Sequence, residues 1–282
     1  MKYIISILLV SFIYFAQAEE FQAPVTDTKW QIIESPLECS LTQVIPSFGE
    51  AGFRRVNGGP LELFFKTTSQ PATQNNVAFE ISAAPWQNTD QFEPLVSMPT
   101  SKGQREFAVN GVLAQQALTN MQDGRFPLIR YRSQTYTGDV VAKLSTVKFN
   151  DSSSAFNQCL SNLYPDSFDE INNLTIYFES EKAVLTKKAT QALTRIADYL
   201  KIDDTVKQMT ITAHTDNYGR KRLNVPLSEA RARVIRDFFI EKQVLENDQV
   251  VMQSFVDHDP AATNKTASGR AHNRRAEITL SR

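Results

Sequence analysis

The chain has 282 residues, with 30 lysines and arginines against 31 aspartates and glutamates and a formal net charge of -1. This near balance gives no reason to expect a nucleic acid as the partner, and the length leaves room for two domains of ordinary size. Positive charge is concentrated at the end of the chain, where GRAHNRRAEITLSR contains four arginines and one glutamate. That end is therefore a candidate to bind an anion.

The chain begins with a predicted secretory signal peptide. Lys2 precedes an apolar run from Tyr3 to Phe15, and Ala16-Gln17-Ala18 forms an A-x-A cleavage site. We predict that residues 1–18 are removed and that the mature chain starts at Glu19. The alternative, a retained membrane anchor, needs an apolar span of roughly 20 residues. The mature sequence has no segment apolar enough to be a transmembrane helix, and no cysteine at its start to carry a lipid.

The next part of the chain, residues 19–160, is predicted to be a β-rich domain. Short apolar or alternating runs separated by turn residues indicate strands at Leu61 to Thr68, at Asn76 to Ser82, and twice within Leu128 to Phe149. One short helix is predicted around Val112 to Met121, without a second. The stretch 151–173, rich in Ser, Asn and Asp, is interpreted as a crossing segment.

Two cysteines, Cys39 and Cys159, follow the signal peptide. In an oxidising compartment an isolated pair most simply forms one disulfide, which would close a loop of 120 residues. Such a loop contributes about 4 to 5 kcal/mol on the chain-entropy account. The alternative is a pair of free, buried thiols. A bridge would enclose the β-rich domain.

Residues 161–282 change to an alternation of strands and helices. The order β-α-β-α-β-β predicts an α/β sandwich. A first helix is predicted after Thr186 as N-cap, and a second is predicted to begin at Ser228, just after Pro226. The predicted strands are Leu174 to Phe178, Lys207 to His214, Val250 to Phe255 and Ala276 to Ser281.

One carboxylate and one guanidinium of this second domain are predicted to face a common pocket. Asp216 follows a strand, where open α/β sheets bind ligands, and Arg231 would lie in the first turn of the next helix. An arginine there is the wrong charge for the helix dipole unless an anion binds. Together the two residues suit a zwitterion, whose ammonium meets the aspartate and whose carboxylate meets the arginine. The alternative is an ordinary surface ion pair, worth about 0 to 1 kcal/mol.

Several short motifs follow one another in order through this domain. They are Phe178-Glu179, His214-Thr215-Asp216 with Gly219, Asn224, Leu227-Ser228, Arg231-Ala232 with Val234, Asn264, Thr266, Gly269-Arg270, Asn273-Arg274-Arg275 and Glu277-Ile278. With them, residues 174–282 resemble the C-terminal domain of outer-membrane protein A (OmpA). This peptidoglycan-binding module is shared by peptidoglycan-associated lipoproteins and flagellar stator subunits.

The resemblance implies specific roles for several residues. Asp216 and Arg231 would hold the amino and carboxylate groups of diaminopimelate in the stem peptide of the cell wall. The family often has glycine where this chain has Ala213, and aspartate where it has Glu179, so the part of Glu179 in the pocket stays open. Positions that would line or support the same site are Thr215, Asn224, Leu227 and Arg275.

The segment from Trp30 to Phe53, WQIIESPLECSLTQVIPSFGEAGF, contains Ser-Pro, Cys and Ile-Pro-x-Phe-Gly elements. It resembles the start of the MotY family of sodium-type flagellar motor proteins. The resemblance implies that the first domain docks to the flagellar basal body and to the partner protein MotX. The second domain would tie that ring to peptidoglycan, so that stator units can assemble around the rotor. The implied location is the periplasm, at the basal body and the outer-membrane and peptidoglycan layer.

Two other classes of function remain open. A general envelope anchor with an N-terminal transmembrane β-barrel would need about eight alternating strands of 9 to 11 residues, but the visible runs are shorter and carry Glu62, Lys66 and Glu80. A wall-cleaving enzyme would need a nucleophile or metal site, and the first domain contains no Ser-His-Asp, catalytic Cys-His or zinc motif. The three histidines fit no usual ligand spacing. We therefore predict a protein without catalytic activity, metal or cofactor.

Overall fold

The structure is a computed structural model that describes residues 18–84, 86 and 91–282. The predicted signal peptide, apart from its last residue, lies outside the described residues. The chain divides into two compact units, Met1–Asn162 and Leu163–Arg282. Among the helices described, none has both the length and the apolar character needed to span a membrane.

The described part of the first unit contains two five-stranded sheets and two longer helices, α1 (Val112–Gln122) and α2 (Phe149–Asn162). Its strands are β1 (Glu19–Gln22), β2 (Trp30–Glu34), β3 (Glu38–Ile45), β4 (Gly49–Val56), β5 (Glu62–Thr67), β6 (Ala72–Ser82), β7 (Phe92–Pro99), β8 (Glu106–Asn110), β9 (Phe126–Ser133) and β10 (Asp139–Lys143). One sheet has the order β1-β10-β9-β6-β7 and the other β2-β3-β4-β5-β8. The β-rich prediction is confirmed.

The helix α2 corrects one sequence interpretation. Its segment was predicted to be a crossing segment because Ser, Asn and Asp are common in turns. In the structure Phe149, Phe156 and Cys159 are the buried residues of α2, and the helix contacts β2 and β3. Burial of these side chains outweighs the weak helix propensity of the polar ones. The predicted disulfide between Cys39 and Cys159 is present and joins α2 to β3.

The second unit is built on one four-stranded sheet, and the α/β sandwich prediction is confirmed. Its strands are β11 (Asn173–Tyr177), β12 (Gln208–His214), β13 (Val250–Val256) and β14 (Arg275–Ser281), in the order β11-β14-β12-β13. Its helices are α3 (Phe168–Ile171), α4 (Lys187–Leu200), α5 (Lys221–Glu241) and α6 (Ala267–Asn273). The short helices α3 and α6 are additional to the predicted order. The Thr186 cap is confirmed, because its side chain accepts a hydrogen bond from the Ala189 N–H at 3.1 Å.

The helix α5 begins at Lys221, not at Ser228 as predicted. Pro226 lies inside the helix, where it removes one backbone hydrogen bond without ending the helix. The Ser228 hydroxyl does not cap α5 but donates to the Ala213 carbonyl of β12 at 2.8 Å. A serine with a tertiary partner and a serine at an N-cap look alike in sequence. Arg231 therefore lies well inside α5, and the argument from the helix dipole does not apply to it.

The last residue, Arg282, is fixed to the second unit by a small polar cluster. Its Nη2 donates to Asp203 at 2.7 Å and to the Tyr199 hydroxyl at 3.0 Å, and its guanidinium lies 4.0 Å from the centre of the Phe168 ring. Burial opposes ionisation of Asp203. Hydrogen bonds from Thr205, Arg282 and Tyr199 outweigh burial and lower the pKa of Asp203 to about 2.

Candidate functional site

Asp216 lies just beyond the carboxyl end of β12 and is 7% exposed. One carboxylate oxygen accepts a hydrogen bond from Nη1 of Arg274 at 2.9 Å, and the other accepts from the Tyr218 backbone N–H at 3.1 Å. These residues open on a cavity of about 220 Å³. Its lining is Ser180, Asp216, Tyr218, Ala267, Arg270 and Arg274. A carboxylate and two guanidinium groups therefore share one small cavity.

Arg231 is fully buried in α5, and its guanidinium binds the backbone. Nε donates to the Lys182 carbonyl at 3.1 Å, Nη1 to the His214 carbonyl at 2.7 Å and Nη2 to the Glu179 carbonyl at 3.2 Å. These acceptors belong to the segment after β11 and to the end of β12. Arg231 thus joins the segment after β11 to the end of β12, which leads into Asp216.

Asp216 and Arg231 do not form an ion pair at the surface. Both are buried, and the ion-pair partner that the described structure gives Asp216 is Arg274. Burial lowers the pKa of Arg231 to about 10, while the charge of Asp216 opposes that change. Arg231 is still cationic at neutral pH and adds positive potential beside the carboxylate.

Two further predicted residues, Asn224 and Thr215, adjoin Asp216, and a third, Leu227, lies in α5. The Asn224 side-chain amide donates to the carbonyls of Asp216 and Tyr218, both at 3.3 Å, and so holds the loop after β12. The buried Thr215 uses its N–H to bind the Val256 carbonyl at 2.7 Å, while its hydroxyl has no hydrogen-bond partner among the described residues. Leu227 is half-buried in α5.

Glu179 and Arg275 are placed differently from the other predicted residues. The Glu179 side chain is 61% exposed and pairs with Lys182 at 2.5 Å, an interaction that lowers the pKa of Glu179. Glu179 is connected to the site through its backbone carbonyl, which accepts a hydrogen bond from Arg231. Arg275 is buried, as Arg231 is. It donates to the Glu277 carboxylate at 2.6 Å and to the Asp259 carbonyl at 3.2 Å, and not to a group of the Asp216 cavity.

The predicted set of site residues did not include Arg270 and Arg274, which the structure brings into the Asp216 cavity. Arg270 donates to the Asn264 carbonyl at 2.9 Å, and Nε of Arg274 donates to the Phe178 carbonyl at 3.3 Å. Both arginines come from the arginine-rich last stretch of the sequence. The excess of positive charge in that stretch is the feature of the sequence from which they could have been predicted.

The loop that carries these arginines is held by short-range contacts. Thr266 caps α6 by accepting from the Gly269 N–H at 3.0 Å. A β-carbon at Gly269 would collide with the Thr263 carbonyl, so only glycine fits there. The Asn273 side chain accepts from the Ala262 N–H and donates to the Ala262 carbonyl, each at 2.8 Å.

The described residues contain no group of three or more His, Cys, Asp or Glu side chains placed to hold a metal ion.

Comparison with known proteins identifies the family. Residues 21–165, just over half of the chain, match the MotY N-terminal domain. The chain belongs to the MotY family. A second match, to the OmpA family, covers residues 177–274 and includes Asp216, Arg231 and Arg274. The sodium-type flagellar protein MotY of Vibrio parahaemolyticus is 29% identical over 273 residues, which is 95% of this chain and 92% of that protein. A protein with these two family matches is not an enzyme, as predicted.

Other relatives match a shorter part of this MotY-family chain. The peptidoglycan-binding protein ArfA of Mycobacterium tuberculosis is 35% identical over 105 residues, 37% of this chain and 32% of that protein. Outer membrane porin F of Pseudomonas aeruginosa is 32% identical over 107 residues, 38% of this chain and 30% of that protein. The matches therefore span about a third of each of these two relatives.

Two solved structures are each similar to a little more than a third of this chain. The cell wall anchor of the type VI secretion system (T6SS) from Pseudomonas aeruginosa is 34% identical, covers 38% of this chain and 79% of its own, and has a TM-score of 0.34. The peptidoglycan-associated lipoprotein from Burkholderia pseudomallei is 23% identical, covers 38% of this chain and 89% of its own, and has a TM-score of 0.36.

Proposed function

We propose that this protein anchors a flagellar motor to peptidoglycan in the periplasm. Membership of the MotY family and the OmpA-family match around Asp216 support this function. The observation that carries it is the arrangement of the cavity, where one carboxylate lies beside guanidinium groups. Such an arrangement suits a ligand with one ammonium and at least one carboxylate, as in the free end of diaminopimelate.

Asp216 and Arg274 can each bind one end of such a zwitterion. An ionised carboxylate has about four lone-pair sites, and Asp216 uses two of them on Arg274 and Tyr218, so an ammonium can bind the others. Arg274 uses Nε and Nη1 on protein acceptors and retains further N–H groups for a carboxylate. Arg270 adds a second guanidinium at the same cavity.

The buried residues around the cavity fix this geometry. In this proposal Arg231 holds the segment after β11 against the end of β12 and adds positive potential for the carboxylate of the ligand. Asn224 fixes the loop that carries Asp216, and Thr215 anchors that loop to β13 through its N–H. A site held this firmly keeps its charges in place before the ligand arrives, which reduces the cost of binding.

Co-sedimentation of the mature chain with purified peptidoglycan sacculi tests the proposal. Asp216→Asn keeps the shape of the side chain but removes its charge, and we expect it to weaken pelleting by roughly 30- to 100-fold, the loss of one charge-assisted contact. Asp237→Asn is the matched control, because Asp237 pairs with an arginine outside the cavity, on α5. Equal pelleting of wild type and Asp216→Asn would contradict the proposed site.

For the first unit, we propose docking to the flagellar basal body and to MotX, so that stator units assemble on a ring tied to the cell wall. The match of residues 21–165 to the MotY N-terminal domain supports this part. Co-purification of tagged MotX with the mature chain tests the contact. Swimming of a deletion strain tests the role in the motor, and normal swimming without the protein would count against it.

A further inference from the structure

A run of three cations lies in the segment that leads into α5. Arg220, Lys221 and Arg222 follow one another, and every residue from 217 to 223 is exposed. Among the described residues, none of these three side chains takes part in an ion pair. Residues 217–223, the basic segment, therefore present three positive charges to solvent without a neutralising partner.

The charges of the basic segment are locally unfavourable. Arg220 is the N-cap of α5, and Lys221 and Arg222 begin its first turn, which contains no acidic residue. The N-terminal end of a helix dipole is positive, so cations there weaken the helix, and the three side chains also repel one another. A partner that carries negative charge would offset both effects.

Two exposed side chains with apolar surface flank the cations. Tyr218 is 71% exposed and Leu223 is 59% exposed. Carboxylates of a charged polymer offer nothing to an exposed leucine, whereas an apolar layer removes it from water. Tyrosine is enriched at membrane–water boundaries because its ring is apolar and its hydroxyl is polar. Lysine and arginine at such a boundary keep their charges in the polar layer. This combination is typical of a segment that lies on an anionic membrane surface.

The backbone of the basic segment is held in place before any partner binds. The Asn224 side-chain amide donates to the Tyr218 carbonyl at 3.3 Å, and the Tyr218 N–H donates to the Asp216 carboxylate at 3.1 Å. Gly219 turns the chain between them and the helix with a φ of 93°, a conformation that favours glycine. A segment fixed in this way loses little conformational freedom on binding.

We propose that the basic segment is a docking surface for a bilayer that contains anionic phospholipid. The three cations bind the lipid phosphate groups, and Leu223 enters the apolar side of the headgroup layer. The inference goes beyond the proposed function, which concerns the cell wall. The two are compatible in space, because the periplasm is bounded by membranes and the basic segment begins at Tyr218, which also lines the Asp216 cavity.

Co-sedimentation of the mature chain with lipid vesicles tests the inference. The anionic vesicles contain phosphatidylethanolamine with roughly a quarter of phosphatidylglycerol, and phosphatidylcholine vesicles are the neutral reference. Each cation close to an anionic surface raises affinity by roughly fivefold. The variant Arg220→Gln/Lys221→Gln/Arg222→Gln should therefore bind the anionic vesicles roughly 100-fold more weakly than the wild type. Leu223→Ser should weaken this binding by roughly tenfold, the contribution of a leucine removed from water.

A matched control separates the basic segment from net charge. Lys187→Gln/Lys188→Gln/Arg233→Gln removes the same net charge from exposed positions elsewhere in the second unit and should bind the vesicles as the wild type does. Circular dichroism checks that each variant is folded. The basic-segment variant should still pellet with sacculi, because Asp216, Arg270 and Arg274 are unchanged in it.

Three results would overturn the inference. Wild-type protein that pellets with neither kind of vesicle, or equally with both, would show that anionic lipid is not recognised. An equal loss of vesicle binding in the control variant would reduce the effect to net charge. A folded basic-segment variant that binds the vesicles like the wild type but no longer pellets with sacculi would assign the cations to the cell wall.

Failure of the wild type to pellet with sacculi is a separate outcome. It would refute the proposed function, while binding of the same protein to anionic vesicles would still support the docking surface.

Discussion

Replacing Arg231 with alanine should destabilise the second unit strongly. The guanidinium is fully buried and donates to three backbone carbonyls, so truncation leaves three acceptors without their donor and creates a void. At about 1 to 1.5 kcal/mol for each acceptor, the loss is about 3 to 4.5 kcal/mol. The contact of the guanidinium with the Phe178 ring, 5.1 Å from its centre, adds about 1 kcal/mol. The alanine variant no longer has to bury a charged group, and the desolvation cost that it avoids offsets part of this sum. The expected loss in the free energy of unfolding is about 3 to 4 kcal/mol.

The positions of the tryptophans allow the unfolding of the two units to be followed separately in the full chain. The two tryptophans, Trp30 and Trp86, both belong to the first unit, so tryptophan fluorescence follows that unit while far-ultraviolet circular dichroism follows both. In Arg231→Ala the transition seen only by circular dichroism should move down by roughly 10 to 15 °C. The fluorescence transition should not move.

Two variants bracket the result. Arg231→Lys keeps the charge but lacks the planar fork, so we expect a smaller loss, of about 1 to 2 kcal/mol. Arg233→Ala removes an exposed arginine from the same helix, 4.0 Å from Glu229, and should change the free energy of unfolding by less than about 0.5 kcal/mol. If Arg231→Ala unfolds within about 1 kcal/mol of wild type but no longer pellets with sacculi, the structural role argued for Arg231 is refuted.

Replacing both Cys39 and Cys159 with serine should lower the free energy of unfolding of the first unit by about 4 kcal/mol, seen in tryptophan fluorescence; an unmoved transition would contradict this. Asp203 should contribute about 2 kcal/mol to the second unit, because burial opposes its ionisation but hydrogen bonds lower its pKa to about 2. Since the folded pKa is depressed, this stability is present above about pH 4 and is lost as the pH falls towards 2; Asp203→Asn should lack that step in acid unfolding. Gly269→Ala should push a β-carbon against the Thr263 carbonyl and weaken pelleting with sacculi, and wild-type pelleting would show that the loop can adapt.

The features that sequence determined are those whose causes lie close together in the chain. Alternation of apolar residues over a few positions predicted the strands, since every second side chain of a strand faces the core. The Thr186 cap was predictable because its acceptor and donor are three residues apart. The position of Asp216 at the end of a strand followed from the same local pattern, and the motif order around it indicated the family.

Tertiary structure decided which groups meet. The acceptors of Arg231 are backbone carbonyls, and carbonyls are the same at every residue, so no sequence pattern marks them. Arg274 reaches Asp216 across 58 positions of the chain, while Ser228 finds its acceptor on a neighbouring strand. The helix α2 forms because its few apolar residues gain burial against β2 and β3, a contribution that depends on distant parts of the chain. Local patterns therefore predicted most of the elements, whereas long-range burial and hydrogen bonding decided the helix α2, the start of α5 and the contacts of the site.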